Sequence, residues 1–99
     1  HKIENKLQTA NSSSITISSN RIEFQDVHGV NWAFYLDTNK QQIILEKYDG
    51  FSWVTQKEYG KNITGFTIQQ PTTNSLQITI EYVNNEMTDS FTSMINILN

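Results

Sequence analysis

From Leu76 to Tyr82 apolar and polar residues alternate without a break. Leu76, Ile78, Ile80 and Tyr82 hold the even positions, and Gln77, Thr79 and Glu81 the odd ones. Successive side chains of a strand point to opposite faces, so this run can bury one face and wet the other. Shorter versions recur at Ile22 to Phe24, Trp32 to Leu36 and Phe66 to Ile68. The pattern predicts an antiparallel sheet with one covered face.

Composition narrows the function classes. Ninety-nine residues suit one domain, 1–99, with one modest core. A hydrophobic share of 36% with 11% aromatics argues against a disordered chain. The formal charge is −3, so there is no basic excess to neutralise phosphates and nucleic acid is not an expected partner. No stretch approaches the roughly 20 apolar residues that cross a bilayer. The absence of cysteine excludes disulfides, thiol nucleophiles and thiolate metal sites. The chain opens on His1 and not Met, which implies residues upstream.

Along the chain, His1 to Asn11 reads as helix, with Ile3, Leu7 and Ala10 on one stripe. Eleven residues are marginal for a free helix, so the segment must dock on the sheet or end a longer helix. Ile15 to Ser18 and Arg21 to Gln25 read as short strands joined at Ser19-Asn20. Asn31 to Asp37 sets Trp32, Phe34 and Leu36 on one face, and Ala33 and Tyr35 on the other. Gln41 to Tyr48 follows, and Asp49-Gly50 predicts a tight type I′ hairpin turn into Phe51 to Thr55. Gln56 to Ile63 reads as an irregular break. Thr64 to Gln70, Leu76 to Val83 and Ser90 to Leu98 are the closing strands.

This order of elements resembles the globular part of type IV pilin-like proteins, and more closely the minor pilins and pseudopilins of type II secretion, competence and pilus systems. Ile22-Glu23-Phe24, then Gly29 and the strand Trp32 to Asp37, carry the likeness, with the hairpin Gln42 to Lys47, Asp49-Gly50 and Trp53. Asn62 to Ile68, Ser75 to Val83 and Phe91 to Leu98 extend it, so it covers the chain from about Arg21 onward. The resemblance implies an α+β fold: an N-terminal helix stub packed on an antiparallel β-sheet meander, with residues 1–11 the end of a truncated helix. It implies a non-enzymatic subunit that assembles into or initiates a filament at the bacterial cell surface, without cofactors. Its partners would be other pilin or pseudopilin subunits, and the membrane through a missing apolar helix. The rival expectation is a β-sandwich carbohydrate-binding or adhesin module.

Few residues suggest chemistry. His28 sits beside Asp26 and Gly29, with no second ligand at a metal-site spacing, and reads as a loop histidine. Asp26, Asp37, Asp49 and Asp89 are scattered at expected strand ends without the dense pattern of a calcium loop, and read as turn formers. Glu58 and Glu86 have nothing to pair them as catalytic carboxylates. Trp32, Tyr35, Tyr48, Phe51 and Trp53 fall on neighbouring strands. Trp32, Phe34 and Trp53 read as packing residues, while Tyr35 and Tyr48 are the candidate interface aromatics.

Overall fold

The chain is described over residues 2–99 by a computed structural model. A short helix, α1 (Lys2–Leu7), and a 3-10 turn at Ser12–Ser14 precede eight strands. These are β1 (Thr16–Ser18), β2 (Arg21–Gln25), β3 (Asn31–Asp37), β4 (Gln42–Tyr48), β5 (Trp53–Tyr59), β6 (Ile63–Thr72), β7 (Ser75–Asn84) and β8 (Met87–Asn96). All strand pairs are antiparallel.

The expected α+β meander is not what forms. The strands divide into two sheets, ordered β1-β2-β3-β4-β5 and β6-β7-β8. Strand accounts for 62% of the chain and helix for 9%, so the fold is a small all-β one and not the α+β pilin arrangement. The physical reason lies in the cover each apolar face needs. Ile22, Phe24, Phe34, Leu36, Ile43 and Leu45 line the inner face of the first sheet, and Phe66, Ile68, Leu76, Ile78, Ile80 and Ile95 that of the second. A six-residue helix covers too little to bury either. The two faces bury each other in one cluster, with Phe34, Ile22, Ile43 and Leu76 fully enclosed.

The hinge between the sheets is local. Gly60 and Asn62 take φ of +76° and +56°, left-handed values that turn the chain out of the plane of the first sheet. The Ile63 amide then donates to the Gln41 carbonyl at 2.9 Å, which starts β6 at the β3–β4 turn and not beside β5. The expected break at Gln56 to Ile63 therefore shrinks to residues 60–62, because β5 runs on to Tyr59. A bulge at Leu45/Glu46 shifts the register between β4 and β5 by one residue.

Helix α1 is shorter than the 1–11 expectation, and its start at His1 lies outside the described residues. The Lys6 carbonyl accepts both the Thr9 amide (3.1 Å) and the Thr9 hydroxyl (2.6 Å), which closes the helix. Ala10 then forms a bridge with Asp26. The Asn11 amide donates to the Gln25 carbonyl (2.7 Å) and the Ser12 amide to the Asn99 carbonyl (2.9 Å), so this segment ties β2 to the residues that follow β8. Asp49-Gly50 is not a two-residue turn either. Residues 49–52 form the loop, and Asp49 Oδ1 accepts from the amides of Phe51 (2.8 Å) and Ser52 (2.9 Å). The last strand runs Met87–Asn96, earlier than expected, because Asn85 and Glu86 both take positive φ and turn the hairpin tightly.

Candidate functional site

Of the expected helix stripe, Ile3 and Leu7 are buried on α1, at 2% and 0% exposure, while Ala10, also at 0%, lies past the helix end in its bridge with Asp26. Glu4 accepts from the Ser93 hydroxyl of β8 at 2.5 Å, and the Lys6 ammonium lies 3.4 Å from the centre of the Trp32 ring on β3. The helix thus touches both sheets.

The outer face of the first sheet holds the aromatic candidates. Register sets Arg21 beside Tyr35, Tyr35 beside Ile44, and Tyr48 beside Trp53. Arg21, the chain's only arginine, sits between two rings, 5.5 Å from Tyr35 and 5.0 Å from Trp53. Its Nε bonds Glu23 at 2.9 Å and its Nη1 bonds Glu46 at 3.0 Å. Burial works against the guanidinium's charge, but the two carboxylates outweigh it and raise its pKa. This cluster roofs Ala33 and Ile44, which are buried although they face outward. Tyr35 is half-buried within it, and burial together with Glu46 and Asp37 raises its phenol pKa. Tyr48 stands at the rim, its ring 5.3 Å from that of Trp53. Beside that pair a cleft of about 330 Å³ opens toward Ser14, Thr16, Glu23 and Asn31.

The two candidate aromatics therefore share a face but differ in character. Trp32 and Phe34 lie on the inner face, Phe34 fully buried, and Trp53 is half-buried outside. Phe51 leaves the cluster and projects from the 49–52 loop, 93% exposed.

The acids lie apart. Asp26 Oδ1 accepts from the amides of His28 (2.9 Å) and Val30 (3.0 Å), and Oδ2 accepts from Trp32 Nε1 at 2.9 Å. Asp37 Oδ1 accepts from Asn39 and Lys40 amides. Asp89 falls inside β8, and Glu58 is held by Lys40 at 2.6 Å. His28 is exposed, its amide turned to Asp26. Among the described residues no three of His, Cys, Asp and Glu gather as a metal site.

Two features escape the reading of the sequence. The Arg21 clamp needs the pairing of four strands, β2 to β5, which periodicity within one strand does not show. A basic groove on the inner face holds Lys6 and Lys57, with Lys47 beside it. Lys47 shares the parity of the core residues Ile43 and Leu45, and that parity is the signal that marks it. Set beside known proteins, the chain has no match among family models, curated proteins or solved structures.

Proposed function

We propose that the chain is a non-enzymatic subunit of a bacterial surface assembly, a minor pilin or pseudopilin that enters or initiates a type IV pilus-like filament. The proposal concerns its task and not the α+β architecture, which the two sheets replace. One observation carries it: α1 is locked to the domain by Ile3 and Leu7, and Ala10 is buried just past its end. A helix arriving from upstream would continue α1 from a fixed place, as a subunit hung from a filament core requires. Exposed apolar side chains support the reading, since neighbours in an assembly need such contacts. Met87, Met94 and Leu98 are 72%, 58% and 83% exposed, and Phe51 adds a fourth on the first sheet's loop.

The test is the reading frame upstream of His1. It should encode an apolar segment of about 20 residues directly before α1, preceded by a peptidase cleavage site. An initiator methionine or a hydrophilic domain at that point overturns the proposal.

The cleft beside Tyr48 and Trp53 favours a second reading, a carbohydrate-binding module. Aromatic rings flanked by a carboxylate, an amide and hydroxyls are the groups that stack and hydrogen-bond a sugar. Binding to a glycan array that disappears in Tyr48→Ala supports it, and no binding removes it.

A further inference from the structure

The inner face of the first sheet is not covered throughout. Between α1 and β5 lies a groove of about 500 Å³, with Trp32, Leu45 and Tyr59 along it. Lys2 and Lys6 border it from the helix and Lys57 from β5. Lys47, directly opposite Trp32 across the β3–β4 pair, places its ammonium 5.7 Å from the same ring. Four of the six lysines in an acidic chain thus gather at one groove, two of them over the Trp32 ring. Lys6 shows the strain of this company. Burial lowers its pKa, Asp26 pulls the other way, and Lys47 adds to the lowering. Asp26 is already engaged by two amides and the Trp32 indole.

The groove runs along a free edge. β5 ends its sheet and pairs only with β4. Its residues from Val54 to Glu58 are all exposed. An unpaired edge is a template for another strand, and inward-pointing lysines are a common guard against indiscriminate pairing. Here the guard is also a filter. A neutral or basic strand laid on β5 would add nothing to offset the lysines of the groove, whereas an acidic one would place its charge beside Lys57 at the groove's edge.

We propose that β5 captures an acidic, extended peptide segment of a partner protein, which joins the first sheet as a sixth strand and sets carboxylates beside Lys57, at the edge of the basic groove that Lys2 and Lys6 line and Lys47 adjoins. Main-chain hydrogen bonds along the edge supply affinity, and the lysines supply selectivity. The inference goes beyond the filament reading and does not need it, because any acidic strand of suitable length can be tried on the isolated chain.

The probe is a ten-residue peptide of alternating glutamate and valine. Trp53→Phe leaves Trp32 as the only tryptophan, so its emission reports on the groove. The peptide should shift that emission saturably and slow hydrogen exchange in β5. Lys47→Glu with Lys57→Glu should weaken binding by about tenfold or more, as should high salt. Both lysines are exposed, so the fold survives their loss, and Lys57→Gln serves as a milder variant with a smaller effect. The proposal fails if the double variant binds the peptide as well as the parent. It fails if a lysine-valine peptide binds equally, or if β5 exchange is unchanged at saturation. It also fails if phosphatidylglycerol vesicles shift the emission and the peptide does not. Self-association of the free chain in sedimentation, abolished by the double variant, would assign the edge to a second copy and overturn the acidic partner.

Discussion

At the residue scale, Asp26 does the most with the least. One carboxylate closes the loop before β3 by accepting the His28 and Val30 amides, and it anchors the indole of Trp32. The side chain is buried, which alone would raise its pKa. The Trp32, Val30 and His28 donors and the nearby Lys6 more than reverse this and hold it below the usual carboxylate value. The sign of the linkage follows. A carboxylate whose pKa is lower folded than unfolded stabilises fully above its unfolded value, and that stabilisation fades as the pH drops through the folded one. Asp26→Ala should lower stability at neutral pH by about 2 to 3 kcal/mol, since it strands two amides and an indole N–H. The cost should shrink as the pH drops below the ordinary aspartate pKa of 3.8. Urea melts of parent and variant at pH 7 and in acid measure the difference. An equal gap at both would show that Asp26 contributes shape and not charge. Asp26→Asn separates the two, because its amide oxygen can still close the turn while its charge is gone.

At the level of elements, the helix shows what a sequence can and cannot reveal. Ile3 and Leu7 are readable as one helix face because the rule is local: residues three and four apart share a face. The length of α1 is not readable from the stripe, because Thr9 caps the Lys6 carbonyl and the chain then leaves the helix for Ala10 to meet Asp26, sixteen positions on. The strands divide in the same way. The inward faces of β2, β3 and β7 follow from parity alone. The split into two sheets depends on the left-handed backbone of Gly60 and Asn62, which gives no periodic signal. Outer-face features such as Arg21 between Tyr35 and Trp53 depend on register across four strands, and no single strand contains them. A helix of six residues does not persist alone in water, so packing must hold it. Leu7→Ala removes its best-buried side chain and should cost about 2 to 5 kcal/mol. It should also free the 8–14 segment that ties β2 to the chain end, so protease cuts should appear before Thr16. A variant that loses stability yet resists cutting there would show that the lacing holds without the helix.

Across the whole molecule, stability is distributed by cover. β7 has a neighbour on each side and buries Leu76, Ile78 and Ile80. β3 is central too, with Phe34 and Leu36 on its inner face and Ala33 buried beneath the Arg21 cluster on its outer one. β5 has one neighbour and is solvated on both faces through most of its length, with Lys57 where an apolar residue would otherwise pack. Local opening costs least where few apolar contacts and many solvated hydrogen bonds coincide. The amides of β3 and β7 should therefore exchange at least about 100-fold more slowly than those of β5 in the isolated chain. β8, also an edge, is tied by Ile95 and by the Ser93–Glu4 bond, and should fall between them. The middle rank of β8 is the sharper part of the test. If edge position alone governed exchange, β5 and β8 would be equal. A faster β5 means that what separates the edges is the cover of their inner faces, and that the face left bare is the one ringed by lysines.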